Sequence, residues 1–240
     1  MIWPVVIASS LAAGIVQTVT GFGAVVTMML VFPYFFDMID APTLALSINL
    51  IYCFVLCCKY IRHIDLSIAF WPTAAYAVVS YFVTGFVGGM ELRTLVIIFA
   101  VFLMLLSVYL LTFSSKIKAK PSKLLGFGCG IFSGITSGLF AIGGPPMAPY
   151  FLAASKDHEA YVANMQFMFV VSTALNIVGR IRNGIFRYSL LPYVAAGTAC
   201  ILVGMYLGER LSRRINADKM KVIVYVFVGL SGLVLLLQQL

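Results

Sequence analysis

Charge is what this chain lacks. Only 10% of its 240 residues are Asp, Glu, Lys or Arg, against roughly 25% in a soluble domain, too few to cover a water-facing surface. With 62% hydrophobic residues and a mean hydropathy of +1.05, the solvent the chain fits is lipid. Carboxylates are scarcest. The eight, Asp37, Asp40, Asp65, Glu91, Asp157, Glu159, Glu209 and Asp218, all fall in or beside loops between apolar runs. No span then offers a carboxylate to carry a proton or Na⁺, which disfavours cation transport. The two histidines, His63 and His158, are loop residues as well, and His158-Glu159 lacks the second histidine of HExxH. Without a metal set or a nucleophile with its base, the chain is not expected to be an enzyme or to hold a metal or cofactor. Five cysteines, Cys53, Cys57, Cys58, Cys129 and Cys200, lie in apolar segments without CxxC metal spacing, and are expected as small buried hydrophobes. The formal charge of +8 is scattered through short loops. It speaks for positive-inside orientation and against a nucleic-acid partner.

Long hydrophobic runs are what the chain has. Cutting at the charges leaves stretches near 3–36, 41–60, 67–88, 92–113, 124–153, 160–179, 188–208 and 220–240. A helical span needs about 20 residues, so six are single spans and the two longest are each two short pieces. The first run has no basic segment before it and continues from Gly14 to Phe36 past any cleavage point, so it is not read as a cleaved signal peptide.

The halves repeat. Gly14-Ile15 recurs as Gly130-Ile131, Thr20 as Thr136, and Pro33-Tyr34-Phe35 as Pro149-Tyr150-Phe151, at a constant offset of 116. Asn49 pairs with Asn164, Pro72 with Pro192, and Gly85/Gly89 with Gly204/Gly208 at offsets of 115 to 120. This predicts a duplicated unit of about 118 residues: 1–115, a linker 116–123, and 124–240. Loop charge orients the units. If each long segment crosses once, Lys and Arg divide nine to seven; if each enters and returns, they divide twelve to four, with only Arg93, Arg180, Arg182 and Arg187 on the poorer side. The second division is the one positive-inside orientation favours. The expected fold is therefore an all-α polytopic membrane protein of two inverted repeats. Each has a broken or re-entrant segment plus three spans, ten elements in all, with a cytoplasmic linker and both termini outside.

Broken backbone in lipid leaves polar groups unpaired unless it is buried in protein or lines a wet cavity. Thr20-Gly21-Phe22-Gly23 and the run from Thr136 to Pro146 interrupt the two long segments at equivalent places. Glycines permit the turn, prolines remove donors, and a short helix can begin behind each break with its N–H groups aimed at it. Facing helix starts make an anion site, and such interruptions in an inverted repeat point to a transporter's substrate position. A packing kink is the plainer alternative. Intramembrane polar residues cluster nearby. Asn49 and Asn164 are repeat-equivalent amides, as Gln17 and Ser133 are repeat-equivalent polar positions; Gln166 and Asn176 make the second half more polar. Gly126, Gly130, Gly134 and Gly138, with Gly85/Gly89 and Gly204/Gly208, form four-residue ladders expected to let helices approach closely. Arg180 and Arg182, at the end of a span, read either as an anion-attracting vestibule or as snorkelled anchors. Gly126-Phe-Gly128-Cys-Gly130 is not a nucleotide loop, since no strand precedes it.

Gly14-Ile-Val-Gln17-Thr-Val-Thr20-Gly21-Phe22-Gly23 and Gly130-Ile-Phe-Ser-Gly134-Ile-Thr136-Ser-Gly138-Leu-Phe-Ala-Ile-Gly143-Gly144-Pro145-Pro146 resemble the paired signatures of the sulfite exporter family TauE/SafE, over nearly the whole chain. The resemblance implies a bacterial inner-membrane permease for sulfite or small organosulfur anions such as sulfonates, described as exporters and counted with about eight spans. By position it assigns Gln17, Thr20, Gly21, Phe22 and Gly23 in the first half, and Thr136, Ser137, Gly138, Gly143, Gly144 and Pro145 in the second. The expected partners are a small anion and lipid, with a homodimer left open. The expected mechanism is alternating access, one anion lying between N–H groups of Gly21–Gly23 and Gly143–Gly144, with hydroxyls of Thr20 and Thr136 and amides of Asn49 and Asn164 as further donors. An anion channel with its pore at the same breaks is the rival; a membrane sensor without transport has no signalling domain to support it.

Overall fold

The computed structural model describes residues 2–113, 122–211 and 217–238. The linker expected at 116–123 lies outside them up to residue 121. The described residues form ten α-helices and no strand: α1 Ile2–Thr20, α2 Ala24–Met29, α3 Asp40–Lys59, α4 Leu66–Val87, α5 Leu92–Phe113, α6 Lys123–Phe140, α7 Gly144–Ala154, α8 His158–Arg182, α9 Leu191–Leu211 and α10 Ala217–Leu237. Seven are long and apolar enough to cross a membrane. Both long sequence segments are broken, α1 from α2 and α6 from α7.

Helix starts are fixed by side chains. Asp65 accepts the Ser67 N–H, Asp157 that of Ala160 and Ser122 that of Leu125, each satisfying a donor the first turn leaves open. The Ser67 hydroxyl and N–H hold the Asp65 carboxyl below the usual carboxylate range. Pro72 inside α4 cannot donate to the Ile68 carbonyl one turn back, and the Tyr150 hydroxyl of α7 donates to that carbonyl instead, at 3.2 Å.

Each broken segment is a hairpin. Trp3 at the start of α1, Phe36 beyond α2 and Tyr193 at the start of α9 form one ring cluster, with centroids 4.6 and 5.7 Å apart. The chain enters along α1, turns at Gly21–Gly23 and returns to the face it left. In the second hairpin a Cβ on Gly126, near the start of α6, would lie 2.6 Å from the ring of Tyr150, near the end of α7.

Glycines set the closest crossings. α6 runs parallel to α4, and Cβ atoms at Gly130 and Gly138 would approach the Pro72 carbonyl to 2.5 Å and Val83 to 2.6 Å. α1 runs parallel to α9 with Gly14 against the Ile201 carbonyl and Gly204 against that of Leu11, tighter still. These two ladders act as expected. Gly85 and Gly89 do not, since nothing but the Asn183 amide and the Phe86 carbonyl comes within 4 Å of a Cβ there, at 3.7 and 3.8 Å.

Exchange α1 with α6, α2 with α7, α3 with α8, α4 with α9 and α5 with α10, and the main packed pairs map onto one another. The pair α4–α6 becomes α9–α1, α4–α8 becomes α9–α3, α1–α2 becomes α6–α7, while α3–α8 and α5–α10 map onto themselves. One pair breaks the correspondence. α10 packs on α1, whereas α5 meets the end of α6 through the rings of Phe99 and Phe102 on Phe140, and beyond them an apolar groove of about 750 Å³ lies between the two helices, with Pro146 of α7 also in its wall.

Two residue groups depart from expectation. Asp40, beside a loop in sequence, is the first residue of α3 and is 7% exposed. Of the five free thiols, only Cys53 is buried, and Cys58 lies on the outer surface.

Candidate functional site

The two breaks meet at a small cavity between the hairpins and the helices α3, α4 and α8. Its volume is about 20 Å³ as seen by the centre of a water molecule, enough for about one water. Six expected residues line it: Gln17, Gly23, Asn49, Gly143, Gly144 and Pro145. Tyr76, Thr173, Phe169 and Ala141 join them, with Val25, Val26, Leu46 and Ile142 as apolar wall. No charged residue is in the lining.

Local backbone chemistry shapes both breaks. At the first, Gly21 and Gly23 have φ of 84° and 108°, the left-handed region open to glycine. At the second, Ala141 ends α6 with φ 65°, its N–H bonded to the Ser137 carbonyl at 2.8 Å. A Cβ on Gly143 would collide with the Tyr76 hydroxyl and ring. That close approach is what glycine is needed for.

The donors differ between the breaks. Gln17 Oε1 accepts the Ala24 N–H at 2.9 Å, so α2 is capped from within. The amide nitrogen of Gln17 makes only long contacts, 3.4 Å to Gln166 Oε1 and 3.6 Å to Cys53 Sγ, and is readily redirected toward a ligand. Gln166 in turn donates to the Gly21 carbonyl at 3.3 Å, joining the halves across the break. At α7, Pro145 and Pro146 carry no N–H, which leaves those of Gly143, Gly144 and Met147. Asn49 Nδ2 contacts Cys53 Sγ at 3.2 Å while its Oδ1 is buried without a partner. Turned over, the same amide accepts from the thiol and offers two N–H donors on the other side.

The remaining expected residues are not in the lining. Thr20 Oγ1 sits against the Val16 and Phe22 carbonyls, and Thr136 Oγ1 against those of Phe132 and Ser133; both hydroxyls are held by their own backbone. Thr20 and Phe22 line a smaller space of about 10 Å³ beside α5 and α10. The Ser133 hydroxyl is buried without a partner. Asn164 is near the start of α8, accepting the Asp65 N–H at 2.8 Å and donating to Ser155 at 3.3 Å. Asn176 donates to the Ser137 carbonyl at 3.3 Å, and the Gly138 carbonyl accepts from Thr84 and Arg180.

Sequence reasoning missed Tyr76 and Ala141. Tyrosine near a span centre carries no signal by itself, and Ala141 is marked only by φ. Thr173 was legible as an intramembrane hydroxyl. Arg180 is the larger departure. Expected at a vestibule or snorkelled, it is fully buried, with 0% exposure. Its Nε donates to Asn176 Oδ1 at 2.9 Å, Nη1 to Thr43 Oγ1 at 2.8 Å and to the Ile39 carbonyl at 3.2 Å, and Nη2 to the Gly138 carbonyl at 3.4 Å.

A small cavity between two broken hairpins, with neutral donors set in a mainly apolar lining, can meet an anion without a counter-charge. The family model for sulfite exporter TauE/SafE matches residues 6–235. The chain belongs to that family. Searches of curated proteins and of solved structures returned no match. Members of the TauE/SafE family are membrane transporters of sulfite or related anions and not enzymes, and the seven long apolar helices make this one a multi-pass membrane protein. With each hairpin counted as one segment, the ten helices reduce to eight, the number the resemblance implies.

Proposed function

We propose that this TauE/SafE protein carries sulfite or a small sulfonate by alternating access, holding one anion in the cavity between the two breaks. The observation that carries the proposal is the lining: Gln17, Asn49, Tyr76, Thr173 and the glycine N–H groups are neutral donors with no carboxylate among them. Charge-assisted hydrogen bonds from such groups are roughly twice as strong as neutral ones. Thr20, Thr136, Asn164 and Asn176 would act one step back, fixing the backbone that presents those donors. Room for about one water is less than sulfite needs, so the cavity must widen to take the anion, a change that alternating access supplies and a standing pore does not.

The two units 1–115 and 124–240 are read as inverted repeats. The exchange of packed pairs supports this, as does the parallel packing of α1 on α9 and α4 on α6. Lys59, Arg62, Lys123, Lys156 and Arg210 gather at the face where α4, α6 and α8 begin, so we assign that face to the cytoplasm. Both termini then lie outside, as they would in a bacterial inner membrane. Export of a monovalent anion follows an inside-negative potential worth roughly 2.3 kcal/mol per charge per 100 mV.

The test is reconstitution in proteoliposomes, measuring labelled sulfite flux at clamped potential with and without excess taurine, sulfoacetate and sulfate. Saturable flux suppressed by a sulfonate supports the carrier. Unsaturated, stepwise single-molecule currents would support the channel, and no flux with any of these anions would remove the sulfur cargo.

A further inference from the structure

We propose that Arg180 is the charge-selecting residue of the transport path, a buried guanidinium that a passing anion takes over from neutral oxygens of three helices. The inference rests on the anion-carrier reading above and names the residue that enforces charge. Burying an unpaired ion costs several kcal/mol even after relaxation, and proteins ordinarily meet that cost with a carboxylate. Here every hydrogen-bond acceptor is neutral: Asn176 on its own helix, Ile39 and Thr43 at the start of α3, and Gly138 on α6. Guanidinium has five N–H donors; these contacts use four, leaving one on Nη2. No carboxylate comes within ion-pair distance of it among the described residues. The nearest in the fold, Asp40, is bound through Oδ2 to Arg187 at 2.7 Å, and Arg187 also holds Asp37 at 3.1 Å. The four charges balance; Arg180 alone among them makes no ion-pair contact, and Asp40 reaches it only through space.

Position gives this charge a use. Thr173 lines the cavity; Asn176 and Arg180 follow on the same side of α8, with Arg180 about 10 Å beyond Thr173 at 1.5 Å per residue. Arg180 therefore stands between the cavity and the Asp37/Arg187 face, at the carbonyl end of broken α6, whose partial negative charge steadies it. Its bonds tie α3 of the first half to α6 and α8 of the second. Opening the cavity to that face separates these helices, and the guanidinium cannot release its oxygens without a substitute. An oxyanion is that substitute, offering a full charge and bidentate geometry. A neutral molecule of the same shape is not.

The experiment measures binding of methanesulfonate and its neutral isostere methanesulfonamide to the purified full chain, alongside sulfite flux in proteoliposomes. Wild type is expected to favour the anion strongly. Arg180→Gln should lower that preference at least tenfold and nearly abolish sulfite flux, and Arg180→Lys should fall between. Thr43→Val, nearly isosteric, removes a competing acceptor and should tighten methanesulfonate binding severalfold, an effect no purely structural role predicts. This variant decides the question if Arg180→Gln does not fold. Preference retained in folded Arg180→Gln, or unchanged or weaker anion binding in Thr43→Val, overturns the inference while the carrier reading stands. A wild type that shows no preference for the anion overturns both.

Discussion

At Gly143 a single hydrogen separates a working site from a blocked one. Its Cα faces the hydroxyl and ring of Tyr76, which is buried, bonded to Ser137 and Ser172, and lines the cavity. Gly143→Ala should therefore push the ring into the substrate position. Flux should fall at least tenfold while the helical content by circular dichroism stays at the wild-type value, since the strain of overpacking is about 1–3 kcal/mol. The amides separate in the same way. Asn164 bonds the N–H of Asp65, the residue that begins α4, and does not reach the cavity. Asn164→Ala should thus lower the melting temperature by the loss of its two hydrogen bonds, roughly 2 kcal/mol, with the half-saturating sulfite concentration unchanged. Asn49→Ala should do the reverse, raising that concentration severalfold at little cost in melting temperature. The sequence makes both amides visible as polar residues at membrane depth and matches them through the repeat, but repeat equivalence says nothing of which way an amide turns. That depends on Cys53, one turn beyond Asn49, and on the Asp65 turn beside Asn164; helical spacing brings the first pair together, but the second, 99 residues apart, leaves no trace in it. Arg180 was hidden for a related reason. Its place near a span end argues for water, and only the oxygens of Ile39, Thr43 and Gly138, distant in sequence, make burial tolerable.

Between elements, backbone rather than side chain makes the contact. Gly14 and Gly204 bring α1 and α9 so close that a Cβ on either meets a carbonyl oxygen of the partner. Backbone cannot move aside as a rotamer does, so Gly204→Ala should cost more than the usual overpacking of about 1–3 kcal/mol and yield little monodisperse protein. Gly128 offers the control. It belongs to the same glycine-rich stretch, yet nothing lies within 4 Å of its Cβ position, and Gly128→Ala should purify and melt like wild type. Size-exclusion yield and melting temperature read both. Element boundaries were largely legible, because a charged or capping residue flanks each apolar run and a span cannot be much shorter than the hydrocarbon core. The breaks were legible because glycine and proline at mid-membrane have few other uses. Four-residue spacing alone did not separate Gly204/Gly208, which touch another helix, from Gly85/Gly89, which do not.

Across the whole molecule, the informative feature is the packed pair whose counterpart is only partly closed. α10 lies on α1, while its equivalent, α5, touches the end of α6 at Phe99, Phe102 and Phe140 and is parted from the start of it by a groove of about 750 Å³ lined by Leu105, Leu106 and Tyr109 on one side and Cys129 and Phe132 on the other. A carrier with two equivalent halves reverses its access when the halves exchange conformations, largely as rigid bodies. In the reversed state α5 should close on α6 as α10 now closes on α1, and the groove should vanish. Cysteine chemistry can report this, since a disulfide forms only when the Cα atoms come within about 7 Å. Native Cys129 already lines one wall, and Leu106→Cys supplies the other, in a protein whose four remaining cysteines are serine. Oxidation of turning-over protein should lock it and stop sulfite flux, with flux restored by reductant. Cross-linking should speed up with substrate on both sides of the membrane and slow down in Gly143→Ala, which cannot complete the cycle. If the cross-link forms at the same rate with and without substrate, or leaves flux untouched, the groove belongs to the resting shape of the protein and the exchange between halves must run through α3 and α8 alone.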